Sequence, residues 1–257
     1  GNAREQLLQL EQYLGDSENL YVRIADGWEQ LGRPDEAIRL IEEMQASGVT
    51  LSYDDKIKLA SFYEAAGRPQ AAYDLFYEIW LAETNLPRLK FAERQILRLA
   101  FRDEQADAAI VRFENELWGG EPSAKKFELL VLFYARNRDV ASAQATIDKY
   151  VEAYGGDEIS LLNQLGRSYR LLELYPEFHE TYVQLAERDA ENRSRHIQTI
   201  LLNLLRNEVF ETDEERAEQI LMWLSRLEQG SESEGASIRT AGILERAGLV
   251  DEAIASY

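Results

Sequence analysis

Cysteine is absent from the 257 residues, which excludes disulfide frameworks, Cys-based zinc sites and a thiol nucleophile. The absence is compatible with both periplasm and cytoplasm. Histidine occurs only at His179 and His196, and neither has the second His one helical turn away that zinc-binding helices use. Both are read as solvated or packing residues. With 5 Pro and 15 Gly, little interrupts long helices. No apolar run approaches the ~20 residues of a membrane-spanning helix; stretches such as Leu129–Ala135 are far shorter. No signal peptide opens the chain, and Gly1 leads us to expect the natural N-terminus elsewhere. No Gly-rich phosphate loop occurs; Gly119-Gly120 and Gly155-Gly156 read as turns. Carboxylate pairs such as Glu42-Glu43 and Asp54-Asp55 read as solvated helix faces, and no constellation assembles an acid, base and nucleophile. Catalytic, metal and cofactor residues are therefore expected to be none. Asn192-Arg193-Ser194 fits a glycosylation sequon, a pattern too short to specify anything.

What is present favours helix. The hydrophobic fraction of 45% can supply a continuous core, and Leu, Ala, Glu and Arg dominate, all good helix formers. The formal charge of −19 is unevenly spread. Residues 1–87 carry −9, residues 88–170 are balanced, and residues 171–257 carry −10. Such a chain is expected to bind no nucleic acid, to gain nothing from an anionic membrane surface, and to insert into no membrane directly.

Two segments reveal a repeat. Gly32-Arg33-Pro34-Asp35-Glu36-Ala37 is answered 35 residues later by Gly67-Arg68-Pro69-Gln70-Ala71-Ala72. Each follows an apolar stretch of helical period (Leu20, Ile24, Trp28, Leu31; then Leu59, Phe62, Tyr63, Ala66) and precedes another. Glycine suits the left-handed backbone that closes a helix. Proline suits the first position of the next, whose N–H has no helical partner. Acidic side chains in the first turn complement the helix dipole. The small residue recurs as Ala3, Ala37, Ala72, Ala109, Ala143, Phe178, Ala217 and Ala253, at intervals of 34, 35, 37, 34, 35, 39 and 36. Phe178 breaks the small-residue rule, the third unit lacks the Gly turn, and Glu211–Glu215 lengthens the sixth. A coiled coil is disfavoured because Pro34, Pro69, Pro122 and Pro176 would break it.

A period near 34 resembles that of tetratricopeptide (TPR) repeats. Leu165-Gly166 followed by Tyr169 looks like that family's Leu-Gly-x-x-Tyr core, and Trp28, Tyr63 and Tyr134 fill the same aromatic slot elsewhere. Ala247-Gly248 and Asp251-Glu252-Ala253 restate the turn. The resemblance implies an all-α fold: a right-handed TPR-like superhelical solenoid of antiparallel helix pairs, with about 15 helices. The chain divides into a partial repeat 1–16, repeats at about 17–51, 52–87, 88–122, 123–157, 158–193 and 194–232, and a truncated repeat 233–257. Lacking polar capping faces, it is expected to be a single solenoid fragment from the middle of a longer array.

The same resemblance places the ligand surface on non-packing positions of each unit's first helix. These are Asn19, Val22, Asp26, Glu29 and Gln30, then Asp54, Ile57, Ser61 and Glu64. A stripe of Arg94, Arg98 and Arg102 follows at i, i+4, i+8, then Glu128, Leu132 and Arg136, then Asn163, Arg167 and Arg170. The expected partner groove is Arg94, Arg98, Arg102, Glu128, Arg136, Asn163, Arg167 and Arg170; the expected acidic face is Asp26, Glu29, Asp54 and Glu64. The arginines either pair with neighbouring carboxylates such as Glu93 or Glu128, or present guanidinium forks to an anionic partner. Trp28, Phe76, Tyr134 and Tyr169 are expected in the core, whereas Trp80 and Trp118 have room to be exposed.

The Gly-Arg-Pro-x-x-Ala turns, the missing Cys and the acidity also make the chain similar to the periplasmic repeat scaffolds of bacterial exopolysaccharide secretion. That resemblance implies a non-catalytic protein–protein interaction scaffold within an outer-membrane protein. Its implied partners are a periplasmic polysaccharide deacetylase/hydrolase and a partly cationic polysaccharide led to an outer-membrane pore. The alternatives are a cytoplasmic TPR adaptor binding an acidic or C-terminal peptide in the Arg-rich groove, and an enzyme carrying the array as an accessory domain.

Overall fold

A computed structural model describes residues 3–13, 18–102, 106–120, 123–207, 209–228 and 235–256. All regular structure among them is helical, in fifteen helices. The chain separates into two compact units, Gly1–Val111 and Arg112–Tyr257. The first holds α1 (Ala3–Glu11), α2 (Glu18–Gln30), α3 (Pro34–Ala46), α4 (Tyr53–Ala65), α5 (Pro69–Ala82) and α6 (Leu86–Arg102). The boundary falls inside α7 (Ala106–Trp118). The second continues with α8 (Ala124–Asn137), α9 (Val140–Ala153), α10 (Glu158–Leu171), α11 (Tyr175–Arg188), α12 (Arg193–Arg206), α13 (Asp213–Glu228), α14 (Gly235–Arg246) and α15 (Val250–Ser256).

The turn hexapeptides do what their residues dictate. Gly32 and Gly67 adopt left-handed φ of 70° and 71°, and Pro34 and Pro69 stand in the first turns of α3 and α5. The backbone N–H of Arg33 donates to Trp28 O at 2.9 Å, and that of Arg68 to Tyr63 O at 2.8 Å. These six-to-one bonds satisfy carbonyls that the ending helix would leave bare. The same closure recurs where the sequence has no glycine. Arg138 (φ 57°) and Glu173 (φ 59°) take the left-handed position, with Asp139 N–H donating to Tyr134 O at 3.0 Å and Leu174 N–H to Tyr169 O at 2.9 Å. Gly248 (φ 78°) repeats it, with Leu249 N–H on Leu244 O at 2.9 Å. Every one of these residues lies five before its frame residue: Ala37, Ala72, Ala143, Phe178 or Ala253. The equivalent turn of the third repeat, like Pro122, falls outside the described residues.

In the first unit each helix from α1 to α6 packs on the next, and in the second α8 packs on α9 and each helix from α10 to α15 on the next; first helices also touch one another, α2 with α4 and α8 with α10. Frame alanines Ala37, Ala72 and Ala143 are fully buried at these crossings. The first unit's core joins Trp28, Ile38, Leu40, Ile41, Met44 and Phe62. In the second, Phe127 stacks on Tyr150 with centroids 3.9 Å apart, and a further cluster gathers Ile197, Ile200, Leu204, Trp223 and Leu244. The aromatic slot also latches α2, α4 and α8 to the helix before each. Trp28 Nε1 donates to Glu11 Oε1 at 2.6 Å, Tyr63 Oη to Glu42 Oε1 at 2.8 Å, and Tyr134 Oη to Glu114 Oε1 at 2.5 Å.

Several expectations need correction. Trp80 is fully buried and Trp118 half-buried beneath the Lys149 ammonium, 4.0 Å from its ring, because both apolar rings cover the packing side of their helices. Asp55 is buried rather than solvated: it closes a capping box with Ser52, whose Oγ accepts from Asp55 N–H at 3.2 Å. Val22 faces the core, not a ligand surface. Of the two readings for the histidines the packing one holds, both being buried.

Candidate functional site: an arginine cleft on the first helices

Where first helices run side by side, acidic groups on one meet basic groups on the next. Lys58 Nζ of α4 lies 2.5 Å from Asp26 of α2. On α6, Arg98 grips both carboxylate oxygens of Glu64, with one bond of 2.9 Å, and Arg102 adds another at 3.0 Å. These bonds, the Arg98 fork first, hold the Glu64 carboxyl below the usual carboxylate range. In the second unit Arg167 of α10 reaches Glu128 of α8 at 3.0 Å.

The expected groove residues therefore divide. Arg98, Arg102 and Arg167 are engaged by carboxylates, as is Lys58 by Asp26. Arg94 is exposed and makes no ion pair with a described residue, while Lys90 occupies Glu93 at 2.8 Å. Arg136 is exposed on α8. Asn163 is half-buried and turns its Nδ2 onto Ile159 O at 2.8 Å. Glu29 and Asp54 are exposed without an ion pair.

The structure brings Asn163, Arg167 and Arg170 together with residues that sequence reasoning missed. A cleft of about 390 Å³ opens between α10 and α12, lined also by Asn192, Arg195 and His196. Beside it, α10 packs closely on α11: a Cβ on Gly166 would stand 2.8 Å from the Tyr182 ring, so a larger residue there would make that ring give way. The start of α12 is pinned by Arg193 Nε on Ala186 O at 2.9 Å. His196 Nε2 sits 2.9 Å from Asp189 Oδ2, and Asn192 donates its Nδ2 to the same oxygen at 3.0 Å. His196 first, then Asn192, depress the Asp189 carboxyl below its ordinary range. Arg170 and Arg195 are exposed and pair with no carboxylate among the described residues. Arg195 could have been suspected from the basic pair Arg193-x-Arg195 at a helix start, but the lengthened sixth repeat hid its register.

A second pocket of about 300 Å³ lies between α9 and α11, floored by Leu161, Leu162 and Leu165 and flanked by Glu177 and Glu180. Among the described residues no group of His, Asp and Glu is placed to hold a metal ion, and no helix is long and apolar enough to cross a membrane.

No protein-family model and no curated protein matches the chain. Similar solved structures include the pentatricopeptide repeat protein PPR10 from maize, 14% identical over 92% of this chain and 34% of that one, with a TM-score of 0.44. Another holds PPR10 in complex with an 18-nt psaJ RNA element, 18% identical over 86% of this chain and 37% of that one, with a TM-score of 0.38. The chain thus spans about a third of the length of the structures it matches. The helical-repeat class itself rests on the recurring turns and first-helix contacts described above. One expectation is overturned, that such a chain excludes nucleic acid: helical-repeat structures similar to this one carry RNA. The physical reason is that phosphates respond to local cationic groups, so a net charge does not exclude them.

Proposed function

We propose that this chain is a non-catalytic scaffold that holds a partner on its first-helix faces. The observation that carries the reading is the α10–α12 cleft, where two exposed guanidiniums pair with no carboxylate among the described residues, in a chain of 47 acidic and 28 basic residues. Unsatisfied, pre-positioned donors on rigid helices suit recognition.

The more specific reading comes from the resemblance to the repeat region of the outer-membrane export protein of the Pel polysaccharide system. On it, the scaffold works in the periplasm, recruits a polysaccharide deacetylase/hydrolase and guides a partly cationic polymer towards the pore. Exposed Glu29 and Asp54 fit a cationic polymer by long-range attraction, which salt screens. A pull-down from periplasmic extract at low and high salt, with bound proteins identified by mass spectrometry, tests this. Salt-sensitive enrichment of a polysaccharide-modifying enzyme is the expected result. Enrichment of a specific cytosolic partner instead, with none from periplasm, rejects the export role in favour of a cytoplasmic adaptor.

A further inference from the structure

We infer that the pocket between α9 and α11 receives an arginine side chain from a basic segment of a partner polypeptide. The inference extends the scaffold reading to a second contact, on the second-helix side, and does not use the arginine cleft. Leu161, Leu162, Leu165 and Tyr169 recur at helical spacing along one face of α10 and form the floor. Glu177, Glu180, Thr181 and Gln184 do the same along α11 and form one wall. Val151 of α9 closes the other side and is exposed, so apolar surface stays open to a ligand there. The volume of about 300 Å³ lies at the small end of ligand pockets and suits a long side chain rather than a folded surface.

The charge of the lining is of one sign: it holds Glu158, Glu177 and Glu180 and, among the described residues, no lysine or arginine. Glu158 is taken by Arg188. Glu177 is half-buried and Glu180 exposed, and neither pairs with a cation among the described residues. Thr181 spends its hydroxyl proton on Glu177 O at 2.7 Å, so it offers the pocket no competing donor. Burial raises the Tyr169 phenol above its ordinary value, a hydrogen bond with Gln144 opposes this, and Asp148, Glu177 and Glu180 add to it. Those carboxylates therefore set a negative field over the aromatic end of the floor. An apolar floor beneath carboxylate acceptors matches a side chain that is apolar along its stem and cationic at its head. Arginine fits better than lysine, because its planar, weakly hydrated guanidinium packs on aromatic rings and can address two carboxylates. A peptide-borne arginine also brings no carboxylate of its own, whereas the free amino acid would set one against the same glutamates.

The test titrates the 257-residue chain against a fluorescently labelled, acetylated Ala-Ala-Arg-Ala-Ala amide and its lysine and citrulline counterparts. The arginine peptide should bind most tightly and the neutral citrulline one least. Glu177→Gln with Glu180→Gln should weaken the arginine peptide by roughly tenfold, the loss expected when charged partners are removed. Leu161→Ala, which thins the floor and leaves the charge alone, should weaken it as well. Glu187→Gln with Glu191→Gln removes the same charge from exposed positions outside the pocket and should leave binding unchanged, with helicity equal throughout. Arginine binding no tighter than citrulline, or weakened as much by the outside pair as by the pocket pair, overturns the inference. Tighter lysine binding overturns the guanidinium assignment. Agmatine, which keeps the guanidinium and stem without a peptide, overturns the polypeptide assignment if it displaces the probe as well as unlabelled peptide does. A dimer of the chain that the pocket pair dissolves makes the occupant a second copy and overturns the partner assignment. If partner capture from extract persists while the arginine peptide fails to bind, the scaffold reading stands and the pocket assignment falls.

Discussion

Glu173 and Arg138 hold backbone angles that glycine holds in the sister turns. A side chain in the left-handed region costs about 1 kcal/mol relative to glycine. Glu173→Gly should therefore raise stability by roughly 0.5–1 kcal/mol, less the added flexibility of the unfolded chain. Gly67→Ala should lower it by a similar amount. Urea unfolding followed by circular dichroism checks both; an unchanged midpoint for Glu173→Gly would mean that Glu173 carries a compensating contact. The tyrosines give a pH prediction. Burial and the hydrogen bond to Glu42 push Tyr63 up to about 12, and burial, with Tyr154 and Glu128 nearby, does the same for Tyr150. Burial and Glu114 raise Tyr134 further. A phenol raised in the folded state contributes stability that is complete below the unfolded value of about 10 and is lost as pH climbs through the folded one. Helicity should hold to about pH 10 and fall between roughly 10 and 12, and Tyr63→Phe should shift that loss upward. A profile flat to higher pH would contradict it.

At the scale of elements, the glycine-proline turns were legible because each residue has one strong backbone preference, and they place α2 to α5 correctly. The turns at Arg138 and Glu173 were not legible from backbone preference, since neither residue favours a left-handed angle. Only the interval to Ala143 and Phe178 marks them. The side-chain ladder was half legible. Charges could be assigned to first helices, but whether Arg98 meets Glu64 or stays free depends on helix separation and rotation, which periodicity does not encode. The cleft shows this most clearly: Arg170 came from the repeat frame, whereas Arg195 and Asn192 did not, because the chain spacing changes between Phe178 and Ala217. Gly166 offers a direct probe of this arrangement. Gly166→Ala puts a methyl 2.8 Å from the Tyr182 ring, which must shift to admit it. It should cost about 1–3 kcal/mol by overpacking and widen the cleft that Tyr182 helps to line. Thermal melting measures the cost. A variant as stable as the parent would show that the helices have room to part.

At the scale of the whole chain, the all-α class follows from few breakers, abundant helix formers and a repeating turn, and the structure has the same character throughout its described residues. Composition was a poor guide to ligands. A charge of −19 pointed away from anions, yet three guanidiniums line one cleft. The sum hides the arrangement, and binding answers to the arrangement. The central claim is that partners are held on the first-helix faces. Hydrogen–deuterium exchange on the chain with and without its captured partner tests it most directly. The account predicts added protection concentrated in α10 and α12 around Arg170 and Arg195, weakened by salt. Protection confined to second helices such as α9 and α11, with α10 and α12 unchanged, would contradict it.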